Sequence, residues 1–200
     1  MSELFSIQLQ NRQQQGRDGV WLDLPTTTEQ VQAALRQIGI SSDNPQGLFI
    51  SGYFAEEEKR FAIPYNMVLA SNVDELNFLA SRLETLSTGE RAELNAALQA
   101  PQSELSSIGK ITDFPENVDY YVHLPDVHGP AQLGDYYLNR SGMVDMPEEW
   151  KGGIDTAQFG RYVAQQEQGV FTEYGYLVKS GDEWQKVHEG QPAPEEYRVL

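Results

Sequence analysis

Hydrophobic and polar residues alternate in two stretches near the start of the chain. Leu4–Asn11 reads LFSIQLQN, and Gly19–Pro25 reads GVWLDLP. Alternation with a period of two is typical of a strand that buries one face. A third apolar stretch, GLFISGYF, covers Gly47–Phe54. Three strands are therefore predicted in this part of the chain.

A helical period separates the second and third of these strands. Thr26 stands three positions before Glu29, the spacing of a capping box, so we expect a helix to begin there. Gly39 is expected to end the helix. Residues 1–66 are therefore predicted to form a small α+β domain. The apolar stripe of the helix consists of Val31, Ala34, Leu35 and Ile38.

The middle of the chain has only helical patterns. The stretch NVDELNFLASRLETL opens with Asn72, an expected N-cap, and STGERAELNAALQA opens in the same way with Ser87. A third short helix, SELSSIG, is predicted after Pro101. Residues 67–112 are therefore predicted to be a helical domain. The apolar face of its first helix consists of Val73, Leu76, Leu79, Leu83 and Leu86.

The last third of the chain mixes both patterns after an irregular connection, ITDFPENVDYYVHLPDVHGP. A helix is predicted up to Gly142, one helical turn after Pro147, and a longer helix from Asp155 to Gly169. The stretch VFTEYGYLVK predicts one strand, and the final residues predict a hairpin arm or a loosely ordered extension. With residues 113–200 as its third domain, the chain is predicted to be an α+β protein of three small domains.

The charge is unusual and is spread along the chain. There are 30 acidic and 14 basic residues, and the formal net charge is −16. Because the acids are interleaved with leucines and aromatic residues, we expect them on the surface of folded elements. Such a surface repels nucleic acid and attracts basic proteins, so no direct nucleic-acid binding is expected. A soluble protein with a merely acidic composition is the alternative interpretation.

The sequence also limits the cellular setting. No stretch approaches the about 18 apolar residues of a membrane span. The N-terminus, MSELFSIQLQ, lacks the basic residues and the apolar core of a signal peptide. Cysteine is absent, which excludes disulfides and thiolate metal sites. These features predict a cytoplasmic protein that does not enter the membrane.

No common catalytic or metal-binding motif occurs in the chain. His123, Asp126 and His128 are close in sequence, but their spacing through a proline matches no common zinc pattern, so we interpret them as turn residues. Glu148 and Glu149 are a possible acid–base pair, but adjacent acids diverge on a helix. The sequence therefore predicts a non-enzymatic protein without a cofactor or a metal.

The aromatic residues give no sign of a nucleic-acid interface. Basic patches with interleaved aromatic residues are absent from the sequence. Trp21, Trp150 and Trp184 are therefore expected to pack in the core or at domain boundaries.

The order of the predicted elements resembles the ArdA family of antirestriction proteins, which plasmids and conjugative transposons carry. The likeness covers about residues 5–178, and its most specific part runs from Asp126 to Leu177. Earlier, GVWLDLP and SNVDELNFLASRLETL are similar to an early strand and a middle helix of the family. The matching residues of the specific part are Leu133, Gly134, Tyr136, Ser141, Gly142, Pro147, Glu148, Ile154, Asp155, Gly160, Arg161, Phe171, Thr172, Gly175 and Tyr176.

The resemblance implies a fold and a function. It implies an elongated protomer of three small domains that forms a head-to-head homodimer. Its acidic surface would imitate the phosphates of bent DNA and occupy the DNA-binding site of type I restriction–modification enzymes, blocking DNA cleavage. Methylation by the same enzymes is a further candidate target.

The resemblance also implies site residues. The scaffold residues are Gly142, Pro147, Gly160 and Arg161. Family members commonly carry acids where this chain has Ala157 and Tyr162, so a second function stays open: an acidic adaptor of the same fold that binds a basic protein of a conjugation or regulatory system. The acids expected to imitate DNA are Asp74, Glu75, Glu84, Glu90, Glu93, Asp135, Asp145, Glu148, Glu149 and Asp155.

Overall fold

The computed structural model describes residues 3–14, 18–41, 44–56, 60–101 and 103–200. Within these residues it contains two three-stranded antiparallel sheets and eight α-helices, which confirms the α+β class. The strands are β1 (Phe5–Asn11), β2 (Val20–Leu24), β3 (Leu48–Phe54), β4 (Tyr121–Leu124), β5 (Val170–Thr172) and β6 (Gly175–Lys179). The helices are α1 (Thr28–Gln37), α2 (Tyr65–Leu69), α3 (Val73–Glu84), α4 (Thr88–Gln99), α5 (Ile108–Thr112), α6 (Pro130–Asp135), α7 (Glu148–Lys151) and α8 (Thr156–Glu167).

The chain divides into two compact units, and each unit is made of separate stretches of the sequence. Unit 1 consists of Met1–Ser87, Leu105–Glu116 and Gln185–Leu200, and unit 2 consists of Thr88–Glu104 and Asn117–Trp184. The three-domain division at residues 66 and 112 stays a prediction. No helix in the described ranges is both long and apolar enough to cross a membrane.

The sheet of unit 1 has the order β2-β1-β3, and all three of its strands were predicted. Ile7 of the central strand lies opposite Leu22 on one side and Tyr53 on the other. The side chains of Phe5, Ile7 and Leu9 are buried because alternate residues of β1 face the core. The alternation in the sequence thus reports the buried face of the central strand.

Helix α1 buries the predicted apolar stripe against this core, but it begins one residue later than predicted. The N-cap is Thr27, whose capping box is completed by Gln30. Thr26 is instead buried, and its backbone N–H donates a hydrogen bond of 2.7 Å to the side-chain oxygen of Asn77. The prediction failed because three threonines in a row offer several equivalent capping hydroxyls.

The helices of unit 1 follow the predicted pattern only in part. Asn72 caps α3 by accepting a hydrogen bond of 2.9 Å from the backbone of Glu75, and the predicted apolar face of this helix is buried. The prediction that a helix begins soon after Pro101 is wrong. The helix there, α5, begins at Ile108 with Ser107 as its N-cap.

Residues 185–200, the C-terminal segment, return to unit 1 after the chain has built unit 2. The carboxylate of Asp113 is fully buried and accepts hydrogen bonds from the backbone of Val187, His188 and Glu189. Asp74 accepts two more from Val199 and Leu200. The prediction of a hairpin arm or a loosely ordered extension is therefore wrong. The segment is irregular, but these hydrogen bonds anchor it to the rest of unit 1.

Unit 2 contains a second sheet with the order β4-β6-β5. The single strand predicted from VFTEYGYLVK is a hairpin, and β4 lies where an irregular connection was predicted. Gly175 has a φ of +119° at the turn of this hairpin, and the hydroxyl of Thr172 donates to its carbonyl oxygen over 2.9 Å. Glycine adopts a positive φ without a steric cost, so Gly175 allows the tight turn that divides the predicted strand into β5 and β6.

Candidate functional site

Five of the ten predicted acids lie in residues 135–155 of unit 2, here named the acidic segment. It leads from the end of α6, through a π-helical turn over Tyr136–Arg140, to the start of α8. Gly142 reverses the chain with a φ of +71°, and Pro147 precedes the single turn of α7. These helix ends match the predictions from the sequence.

Two glycines set the distance between the helices that flank the acidic segment. A Cβ atom on Gly134 of α6 would lie 1.9 Å from the carbonyl oxygen of Thr156. A Cβ atom on Gly160 of α8 would lie 1.8 Å from the carbonyl oxygen of Pro130. Both distances are far below van der Waals contact, and both neighbours are backbone atoms. The close crossing of α6 and α8 therefore requires glycine at both positions.

Four acids of the segment are exposed: Asp145, Glu148, Glu149 and Asp155. Asp155 also caps α8, because its carboxylate accepts a hydrogen bond of 2.9 Å from the backbone of Gln158. Glu148 forms an ion pair of 2.9 Å with Lys151, in which the side chain of Glu148 is 81% exposed and that of Lys151 is 18% exposed. Because solvent screens a carboxylate this exposed, the pair is weak and the carboxylate stays available to a partner.

Asp135 differs from these four acids. It is half-buried, and its carboxylate forms an ion pair of 3.2 Å with Arg140. Its other carboxylate oxygen accepts a hydrogen bond of 2.8 Å from the side chain of Asn139. The carboxylate is therefore already occupied within the segment.

The acidic segment and the helix that follows it also expose large apolar side chains. The exposed fractions are 75% for Met143, 66% for Trp150 and 60% for Tyr162. The expectation that Trp150 packs in a core or at a boundary is therefore wrong, since α7 has no buried residue. Trp21 is also exposed, whereas Trp184 is half-buried against the ring of Tyr120. Exposed aromatic residues among acids are typical of surfaces that bind proteins.

The other predicted acids are half-buried and are divided between the two units. Asp74, Glu75 and Glu84 lie on α3 of unit 1, whereas Glu90 and Glu93 lie on α4 of unit 2. Asp74 holds the end of the C-terminal segment, so its role in the fold is structural. Glu75 lines a cleft of unit 1.

Glu93 is a poor imitation of a phosphate. Burial, followed by the neighbouring negative charges of Glu90 and Asp119, raises the pKa of its carboxyl group to about 8. Its Oε1 atom is buried and has no hydrogen-bond partner among the residues that the structure describes. A carboxyl group with this pKa is mostly protonated at neutral pH and so carries little charge.

Arg161, which was predicted as a scaffold residue, is exposed on α8 next to the buried Gly160.

On the same helix, the carboxylate of Glu167 accepts hydrogen bonds from the hydroxyls of Tyr137 over 2.5 Å and Tyr176 over 3.0 Å. Burial, followed by the hydrogen bond to Glu167, holds the pKa of both tyrosines above its usual value. Both hydroxyls therefore stay protonated and tie the π-helical turn and β6 to the end of α8. The sequence alone gave no signal of this cluster.

The histidines of HLPDVH hold local structure. The Nε2 atom of His123 lies 2.7 Å from the carbonyl oxygen of Tyr174, in the turn between β5 and β6. The backbone N–H of His128 donates a hydrogen bond of 2.7 Å to the side chain of Gln132. Across the described ranges, no three His, Asp or Glu side chains are grouped so that they could hold a metal ion.

Comparison with known proteins identifies the family of the chain. A comparison with curated proteins finds no match. The model of the family described as antirestriction protein (ArdA) matches residues 15–178, which include the acidic segment and the crossing of Gly134 and Gly160. The match covers well over half of the 200 residues. The chain therefore belongs to the ArdA family of antirestriction proteins.

Proposed function

We propose that this protein is a non-enzymatic DNA mimic that binds the DNA-binding site of a type I restriction–modification enzyme and blocks DNA cleavage. Membership of the ArdA family supports an antirestriction role. The observation that carries the proposal is the exposure of Asp145, Glu148, Glu149 and Asp155 on one structured segment. The target would offer Lys and Arg side chains that otherwise bind phosphates.

The spacing of the acids suits this role. Glu148 and Glu149 are consecutive residues of α7, and a helix advances about 1.5 Å per residue along its axis. Duplex DNA carries one negative charge per about 1.7 Å of its length, so this pair of acids has a similar axial spacing of charge. The crossing of α6 and α8 holds the ends of the segment. Binding therefore costs less ordering entropy than it would for a disordered acidic tail.

The apolar side chains of the same region give the contact specificity for a protein. Trp150 stands in α7 next to Glu149, and Met143 follows the turn at Gly142. A large aromatic side chain that is buried on binding commonly provides much of the binding free energy of an interface. We propose that Trp150 is such an anchor and that the acids around it steer the approach.

Competition is the direct test of this function. The protein should inhibit DNA cleavage by a purified type I restriction enzyme at about 50 mM salt, and added duplex DNA should relieve the inhibition. Raising the salt to about 200 mM should weaken inhibition, since the contacts are between exposed charges. Cleavage that continues unchanged at low salt with excess protein would exclude the proposal.

A homodimer, which we also propose, would present two acidic segments to the target. Light scattering on the purified protein measures its mass, and the mass of one 22.5 kDa chain would contradict this part of the proposal.

An acidic adaptor that binds another basic protein is the second candidate. The pairing of Asp135 with Arg140 favours it, because it makes the surface less like a uniform row of phosphates. An adaptor would bind its partner without competition from duplex DNA. The same competition experiment therefore distinguishes the two candidates.

A further inference from the structure

Unit 1 contains a cleft of about 530 Å³ between α3, α5 and the C-terminal segment. This volume lies within the range of sites for small molecules. Met67, Phe78 and Ile108 provide apolar wall, and Ala193 of the C-terminal segment closes one side. The cleft belongs to unit 1, whereas the acidic segment belongs to unit 2.

Glu75 gives the cleft its charge. Among the described residues that line the cleft it is the one acid, and none of these residues is Lys or Arg. Its backbone N–H donates to Asn72, but within the described part of the chain its carboxylate has neither a hydrogen bond nor an ion pair. The protein as a whole has a net charge of −16, which raises the local concentration of cations.

We propose that this cleft binds a small organic cation: an ammonium or guanidinium group carried on an apolar or aromatic stem. The cationic group pairs with the carboxylate of Glu75, and the stem packs against Phe78, Met67 and Ile108. The ring of Phe78 is held in place by the ring of His188, which meets it edge to face at 4.9 Å. The site is separate from the proposed function and does not depend on it.

The C-terminal segment forms one wall of the cleft and lies outside the residues that match the family model. His188, Pro192 and Ala193 all belong to it. Asp113 fixes this wall by accepting the backbone N–H of His188 over 2.6 Å. The cleft is therefore complete only when the C-terminal segment is docked on unit 1.

Three probes of matched shape test the charge preference of the cleft. Benzylamine, benzyl alcohol and benzoate are titrated into the full-length protein while NMR follows the methyl groups of Met67, Ile108 and Ala193. Benzylamine should shift these signals with a dissociation constant of about 1 mM, an ordinary affinity for a fragment of this size. Benzyl alcohol should bind at least about 5-fold more weakly, and benzoate should cause no saturable shift.

Substitution locates the site. Glu75→Gln removes the charge but keeps the size of the side chain, so benzylamine should bind this variant at least about 5-fold more weakly. Glu196→Gln, an exposed acid of the same unit outside the lining, is the matched control and should bind benzylamine as the wild type does. Equal binding of benzoate and benzylamine, unchanged binding to the Glu75→Gln variant, or no shift by about 20 mM benzylamine would each overturn the proposal.

Discussion

Gly160 of α8 lies against α6 so closely that a Cβ atom on Gly160 would approach the backbone nitrogen of Gly134 to 2.8 Å. The same Cβ atom would lie 1.8 Å from the carbonyl oxygen of Pro130. Because both neighbours are backbone atoms of a helix, they cannot move aside as a flexible side chain would. The crossing of these two helices holds the acidic segment at both ends.

Gly160→Ala should therefore destabilise the protein by about 1–3 kcal/mol, since the added methyl group forces α6 and α8 apart. Chemical denaturation measures the change in the free energy of unfolding. Gly152→Ala is the matched control: Gly152 ends α7 with ordinary backbone angles and has open space around it. A Gly160→Ala variant as stable as the control would contradict the described crossing.

Asp113 makes a second prediction about stability. Asp113→Asn removes the buried carboxylate that accepts three backbone N–H groups of the C-terminal segment. An amide has one acceptor oxygen, so at least one of the three donors loses its partner, at a cost of about 1–3 kcal/mol. Hydrogen exchange should become faster at Val187, His188 and Glu189.

The control for Asp113 is Asp182→Asn, an exposed acid close to the start of the C-terminal segment. It should leave both the stability and the exchange of these amides unchanged. Protection of residues 187–189 that survives in the Asp113→Asn variant would show that other contacts anchor the segment.

Glu93 should make the stability depend on pH. Its folded-state pKa of about 8 lies above the ordinary value of 4.5, so the folded state holds a proton that the unfolded state has already released. The stability of the wild type should therefore fall as the pH rises from about 4.5 to about 8. Glu93→Gln removes this loss and should raise the melting temperature at pH 9 by about 3–6 °C, with little effect at pH 4.5.

Thermal melts across this pH range provide the measurement for Glu93. Glu196→Gln serves as the control, because Glu196 is exposed and its substitution should cause no such trend. A difference between the Glu93→Gln variant and the wild type that stays constant with pH would contradict the buried protonated carboxyl group.

Much of the fold could be predicted from local patterns, because the responsible interactions are local. Alternation along β1 and the stripe of α1 each indicate one buried face, and Asn72 caps α3 by accepting a backbone N–H only three residues away. The short strand β4 and the hairpin at Gly175 could not be predicted in this way, since prolines and glycines interrupt their hydrophobic patterns. The C-terminal segment is anchored by hydrogen bonds between Asp113 and three residues that follow it by 74, 75 and 76 positions. No local sequence pattern indicates contacts over such a separation.

The candidate site was predictable to a smaller degree. The helix ends at Pro147 and Asp155 follow from local preferences, so the acids of the acidic segment could be placed on short helices. The burial of Glu93 could not be predicted, because its cause is tertiary: neighbouring elements cover one side of α4. The exposure of Trp150 was also missed, since tryptophan is largely buried in most proteins, whereas α7 has no buried residue.

Trp150 should matter for binding but not for folding. Trp150→Ala removes an exposed side chain, so the melting temperature should change little. The concentration needed for half-maximal inhibition of a type I restriction enzyme should rise by about 10-fold or more if this side chain is buried in the interface. Trp21→Ala, which removes another exposed tryptophan from unit 1, is the matched control. Equal inhibition by the two variants would remove Trp150 from the interface.

The most direct test of DNA mimicry neutralises the four exposed acids of the acidic segment together. The variant carries Asp145→Asn, Glu148→Gln, Glu149→Gln and Asp155→Asn, the last of which keeps a side chain able to cap α8. A control with Asp18→Asn, Glu183→Gln, Glu195→Gln and Glu196→Gln removes the same number of charges from other exposed sites. Both variants therefore have the same net charge.

The measurement is inhibition of DNA cleavage by a type I restriction enzyme at about 50 and 200 mM salt. The segment variant should need about 10-fold more protein than the wild type at low salt, and its inhibition should depend less on salt because fewer charge contacts remain. The control variant should inhibit nearly as well as the wild type. If the two variants inhibit equally, with the same dependence on salt, the acidic segment does not act as a mimic of DNA.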